Sequence, residues 1–142
     1  MSDARIVVGV DGSEPSRRAL RWAADQARLT GARLEAVIAW EDPRQWNMIG
    51  FPVLPDDYAP ESVADQVLAE AIERTFDGPP PVEITRHVIP GHAADAIIGA
   101  SDGASLVVVG ARGRSGFSRA LLGSVSNQVA QHAAGPVVIV RG

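Results

Sequence analysis

Short apolar runs alternate with amphipathic stretches along this chain. Ile6 to Val10 is a continuous apolar run ending in the turn residues of "VDGS", and it predicts a buried strand. Ser13 is placed to cap a helix that tolerates Pro15 in its first turn. Leu20, Ala23, Ala24 and Ala27 then recur at helical spacing until Gly31 stops the run. "RLEAVIAW" predicts a second strand, Leu34 to Trp40. Glu41 to Pro60 has no clean period and four prolines, so it predicts a long irregular connection. Val63, Val67, Leu68, Ala71 and Ile72 fall on one face of a second helix, which "DGPPP" breaks. "VEITRHVI" alternates and predicts a third strand, Val82 to Ile89. Gly91 opens a short helix carrying Ile97 and Ile98. "SLVVVG" predicts the fourth strand, and a helix with Val125, Val129 and Ala130 inward follows Gly123. "GPVVIV" predicts the fifth.

Strands alternating with helices predict parallel pairing through crossover connections. The first, fourth and fifth runs are apolar without interruption, as strands buried on both faces must be. The expectation is an α/β, doubly wound parallel sheet with helices on both faces. Residues 1–142 are expected to form a single domain, with no internal repeat.

Composition narrows the chemistry. The chain is 46% hydrophobic and 21% charged, ordinary for a globular protein, and no run is long enough to span a bilayer. The first residues lack the order of a signal peptide, and a cytoplasmic location is expected. Cysteine is absent, which excludes disulfides and thiol catalysis. Lysine is absent too, since all 13 basic residues are Arg. That excludes a Walker A loop, Schiff-base chemistry and a lysine general base. The net charge is −4, yet from Gly103 onward there are four Arg and no acid. This polarity marks the last third as the place for an anion.

"GARGRSGFSRALLGS", Gly110 to Ser124, is the centre of that positive region. Ligands of open parallel sheets bind beyond the carboxyl ends of strands, where strand order reverses. Gly110 and Gly113 permit close approach of backbone to a ligand or a positive φ. Gly123 and Ser124 begin a helix whose first amides and dipole favour an anion, and Ser124 and Ser126 add hydroxyls. Arg114 and Arg119 lie in the nine-residue arm between, Arg114 to Leu122. Backbone donors with nearby Arg suit a polyphosphate without a lysine. Asp11, at the end of the first strand, suits a ribose hydroxyl or a base edge.

The spacing Gly-x-x-Gly, nine residues, Gly-Ser, present as Gly110, Gly113, Gly123 and Ser124, resembles the ATP-binding motif of the universal stress protein family. "VVGVDGSEPSRRAL" resembles that family's first strand and helix, and "LVVVGARG" and "GPVVIVR" its last two strands, so the resemblance covers nearly the whole chain. It implies a five-stranded parallel sheet in the order 3-2-1-4-5, with the first and fourth strands adjacent at the switch point. It implies that Val10 and Asp11 contact adenosine and that Ala39 lines the adenine pocket. It places Val109, Gly110, Arg112 and Gly113 beside the ribose and phosphates. Gly123, Ser124, Val125 and Ser126 then receive the phosphates, with Mg2+ or Mn2+. It also implies a homodimer through the fifth strand, Val137, Val138, Ile139 and Val140. One departure is His92, where members often carry proline.

Each of these residues also has a plain structural use. Gly110 and Gly113 terminate a strand, Asp11 caps a turn, and Arg114 and Arg119 are solvated charges. His87, His92 and His132 have no ligand spacing, and "GRSG" is not a nucleophile elbow. Trp46, Met48, Ile49, Phe51 and Tyr58 pack against the surface by default, or form a lid or partner-facing patch. The fifth strand, apolar and near the chain end, independently calls for a partner to cover its edge.

Three functions compete. The first is an ATP-dependent regulatory protein of the stress class, with slow or absent turnover because no general base is evident beside the phosphates. The second is a nucleotide hydrolase or autophosphorylating enzyme in which Ser124 or Ser126 accepts phosphate. The third is a binder of another adenine nucleotide, such as cyclic AMP. A nucleic-acid role is disfavoured by the acidic balance and the lack of an aromatic-basic stripe.

Overall fold

The computed structural model describes residues 4–41, 59–112 and 123–141. In chain order the elements are β1 (Arg5–Gly9), α1 (Glu14–Thr30), β2 (Arg33–Trp40), α2 (Pro60–Phe76), β3 (Ile84–Pro90), α3 (Ala93–Ala100), β4 (Leu106–Gly110), α4 (Ser124–His132) and β5 (Val137–Val140). All strand pairs are parallel, and the sheet order is β3-β2-β1-β4-β5. Both the doubly wound architecture expected from the pattern and the strand order implied by the resemblance are therefore present. The five strands lie close to their expected ranges; β3 begins two residues late, at Ile84 rather than Val82, and runs on to Pro90.

The unbroken apolar strands divide their side chains between two cores, as period-2 geometry requires. Ile6, Val8, Leu34, Ala36, Ile38 and Val108 pack against α1 and α2 on one face. Val7, Val37, Val107 and Val109 pack against α3 and α4 on the other. α1 brings Ala19, Leu20, Ala23, Ala24 and Ala27 to the sheet, all essentially inaccessible. Its small side chains let the helix sit close over β1 and β4. Ser13 is its N-cap, Pro15 stands in its first turn, and Gly31 closes it in the left-handed conformation at φ 75°.

Two expected inward residues point elsewhere. In α2 the buried stripe is Ala64, Leu68, Ala71 and Thr75, with Val67 and Ile72 flanking it. Val63 falls one position off that stripe and is 47% exposed. In α4 the buried pair is Ser126 and Val129, and Ala130 is exposed. A nine-residue helix with one inward stripe of i, i+3 spacing has no room for the adjacent residue.

The switch point lies between β1 and β4, the central strands. The chain runs outward to β2 and β3 on one side, then returns through α3 to β4 on the other. The carboxyl ends of β1 and β4 thus open beside the starts of α1 and α4, where a ligand crevice is expected.

Candidate functional site

The end of β1 is shaped by short polar residues. Val10, just past β1, remains tied to β2, its amide donating to the Val37 carbonyl at 2.9 Å. Gly12 then turns the chain at φ 86°, a conformation that side chains with a Cβ resist. Asp11 Oδ1 accepts from the Ser13 amide at 2.9 Å and from the Ser13 hydroxyl. The Asp11 amide donates to Ser16 Oγ at 3.2 Å, and that hydroxyl donates to the Ser13 carbonyl at 2.9 Å. Asp11 therefore does the work of a turn residue. Its side chain also lines the crevice, so the structural use and the ligand-facing position coexist in one residue.

The end of β4 is held from two sides. The Ala111 amide donates to the Val140 carbonyl at 2.9 Å, and the Ala111 carbonyl accepts from the Gly123 amide at 2.7 Å. Ser126 is 2% exposed, and its hydroxyl faces two carbonyls, Ala111 at 2.8 Å and Gly123 at 3.0 Å. Ala111 and Gly123 are thus bonded directly, which fixes where α4 begins. Gly123 is the N-cap of α4 and offers no side chain to its free amides. In α1 the same task falls to Ser13, whose Oγ lies 3.4 Å from the Ser16 amide. Among the described residues no side chain caps the amides of Ser124, Val125 and Ser126, which suit an incoming anion.

Between these ends lies a crevice of about 470 Å³ including its mouth. Its wall takes Val10 and Asp11 from beyond β1, Ala39 from β2, Val109 and Gly110 from β4 and Arg112 beyond it. α4 contributes Val125 and Ser126. Eight of the expected site residues are therefore gathered in one place. Gly123 and Ser124 sit at the start of α4 but are not part of the wall. Gly113, Arg114 and Arg119 lie outside the described residues, as do 42–58 and the lid reading attached to them.

Sequence patterns missed Gly9, Ser16, Val37, Ala93 and Ile97, which also line the crevice. Val37 was open to inference, because it shares a strand face with Ala39. Ala93 and Ile97 are four apart on α3, on the side that lines the crevice. The reason for glycine at two wall positions is packing. A Cβ on Gly9 would run into Ile97 Cδ1, the end of a flexible side chain. A Cβ on Gly110 would lie 2.8 Å from the Pro15 carbonyl oxygen and 2.9 Å from its carbon. Gly110 thus lets β4 pass under the first turn of α1.

Two of the histidines have partners of their own. His87 Nε2 lies 2.7 Å from Glu35 Oε1, and Arg5 Nε lies 3.7 Å from Glu35 Oε2. This network joins β1, β2 and β3 on the face shared with α3. His92 Nδ1 lies 2.8 Å from Glu41 Oε1, linking the end of β2 to the start of α3. Among the described residues no group of three or more His, Cys, Asp or Glu is arranged to hold a metal ion. No helix among them is long and apolar enough to cross a membrane.

Comparison with known proteins agrees with this geometry. The model of the universal stress protein family matches residues 4–141. Universal stress protein Rv2623 of Mycobacterium tuberculosis (strain ATCC 25618 / H37Rv) is 41% identical over 140 residues, which are 97% of this chain and 45% of that protein. The chain thus spans less than half the length of the curated relatives it matches. A crystal structure of a universal stress protein in complex with cAMP superposes with a TM-score of 0.68 at 28% identity, covering 99% of this chain and 98% of that one. The universal stress protein from Archaeoglobus fulgidus in complex with dAMP superposes at 0.63 with 26% identity, covering 98% of each chain. With the family match extending over almost every residue from β1 to β5, this chain belongs to the universal stress protein family.

Proposed function

We propose that the chain binds an adenine nucleotide, ATP first among them, in the crevice between β1 and β4, and acts as a nucleotide-dependent regulatory protein of the cytoplasm. The observation that carries this reading is the division of the crevice. Val37, Ala39 and Ile97 make one end apolar, suited to a purine. Val125 and Ser126 bring the uncapped start of α4 to the other end, suited to phosphates. Two structural neighbours in complex with adenine nucleotides support the same ligand class.

In this proposal Val10 and Asp11 lie beside adenosine, and Ala39 beside the base. Val109, Gly110, Arg112 and Gly113 flank the sugar and phosphates. Gly123, Ser124, Val125 and Ser126 form the phosphate end. Mg2+ or Mn2+ arrives bound to the triphosphate; Asp11, the carboxylate on the described wall, already accepts from Ser13. Hydrolysis is slow or absent, because among the described wall residues the carboxylate, Asp11, is engaged by Ser13. The chain folds as one domain and pairs with a second copy along β5, an edge strand of the sheet among the described residues.

Calorimetric titration with Mg-ATP, cyclic AMP and adenosine tests the proposal. ATP should bind with measurable heat and raise the melting temperature. Absence of both effects for every adenine ligand refutes it. Cyclic AMP is the second reading, favoured by the neighbour solved with that ligand. Tighter binding of cyclic AMP than ATP would establish it. Sedimentation at micromolar concentration reports the dimer, and a monomer there would refute pairing along β5.

A further inference from the structure

Ser126 lines the crevice at the start of α4, yet its hydroxyl is already engaged by main-chain carbonyls. A serine hydroxyl carries one proton to donate. Among the described residues Ser126 Oγ faces two carbonyl oxygens, Ala111 at 2.8 Å and Gly123 at 3.0 Å, and either bond consumes that proton. A phosphate oxygen, itself an acceptor, has nothing to receive from this hydroxyl unless the internal bond is broken. The residue is 2% exposed, where an unmade hydrogen bond is costly.

The surrounding bonds give the hydroxyl another task. The Ala111 carbonyl accepts from both the Gly123 amide and Ser126 Oγ. The Ala111 amide is tied to Val140 on β5. The Gly123 carbonyl accepts from the Asn127 amide, closing the first turn of α4, and also faces Ser126 Oγ. One side chain thus joins the end of β4 to the first turn of α4, at the point where the chain leaves the sheet and returns to it. Amides that bind an anion through the helix start act only if that start is held in register with the crevice.

We infer that Ser126 is a positioning residue: its hydroxyl clamps Ala111 to the N-cap of α4 and so aims the free amides of Ser124 and Val125 at the phosphates. This rests on the nucleotide reading above. The clamp is present before any ligand arrives, which separates it from a hydroxyl that contacts phosphate directly.

The test pairs amide hydrogen exchange on the unliganded protein with titrations of Mg-ATP and adenosine, in wild type, S126A and S126T. In S126A the Gly123 and Asn127 amides should exchange faster without nucleotide. ATP affinity should fall about five- to tenfold, the scale of one buried hydrogen bond, while adenosine changes less than about twofold. S126T, which keeps the hydroxyl, should restore both. Should S126A not fold, S126C, close in size and a weak donor, is measured in its place. Unchanged Gly123 exchange in the unliganded variant overturns the clamp, as does unchanged ATP affinity. Equal weakening of ATP and adenosine overturns it as well, because general loosening of the pocket would then suffice. A wild-type protein that binds neither ligand overturns the nucleotide reading itself, and the clamp's role with it.

Discussion

Replacing Gly110 by alanine tests whether this glycine serves the ligand or the fold. Gly110 is not among the glycines at positive φ, so its backbone accepts a side chain without torsional strain. On that ground alone the substitution would stabilise, by about 0.4–1 kcal/mol through the unfolded chain. The new Cβ would however meet Pro15 at 2.8 Å (O), 2.9 Å (C) and 3.1 Å (Cβ). Two of those atoms are backbone in the first turn of α1. That turn is itself pinned by the Arg17 amide on the Ser13 carbonyl at 3.0 Å and by the Ser13 cap. It cannot rotate aside as a side-chain tip would, so overpacking of about 1–3 kcal/mol is expected. The net loss is about 1–2 kcal/mol, or roughly 3–8 °C in melting temperature for a chain of this size. Urea unfolding and a thermal melt measure it. Gly99→Ala is the control: nothing lies within 4 Å of its Cβ, and it sits within α3. That substitution should be neutral or stabilising by up to about 1 kcal/mol. If G110A is as stable as wild type while its ATP affinity collapses, the glycine exists for the phosphates and the packing account is wrong.

Other perturbations separate the parts of the molecule. Gly9→Ala pushes Ile97 Cδ1 toward the crevice, so it should weaken adenosine binding several-fold at a stability cost below about 1.5 kcal/mol; calorimetry and a melt read both. Leu68→Ala removes a fully buried side chain between α2 and the sheet and should cost about 2–4 kcal/mol in urea unfolding, with nucleotide affinity unchanged. Glu35→Gln keeps the shape but removes the charge facing Arg5 and His87; a loss of about 1 kcal/mol is expected, shrinking as salt is added. Ser13→Ala removes the α1 cap and the hydroxyl bond to Asp11 while leaving the Ser13 amide on that carboxylate, and should cost about 1 kcal/mol with weaker nucleotide binding.

The parts that were legible in the sequence are those where one residue type has one physical use. Runs such as "VVV" at 107–109 declare a strand buried on both faces, because the run is short and β-branched and has no polar position to turn to solvent. Gly31 and Ser13 declare the ends of α1 for similar reasons. The site was legible at its polar rim, through Asp11 and the glycines, and not at its floor. Gly9, Val37, Ala93 and Ile97 are the same residues that build a core, and only the placement of α3 over β1 and β2 turns them into a cavity wall. Glycine itself was ambiguous. The spacing of Gly110 suggested a ligand, whereas its neighbour in space is Pro15, from the opposite end of the chain. Ser126 carries the same lesson in hydrogen bonding: sequence supplies a hydroxyl near the phosphate end, and only the positions of the Ala111 and Gly123 carbonyls decide where its single proton goes. A motif read as a list of ligand contacts therefore mixes two kinds of residue. Some meet the nucleotide, and others hold the first kind in place, and they are separated by asking what each atom touches when the crevice is empty.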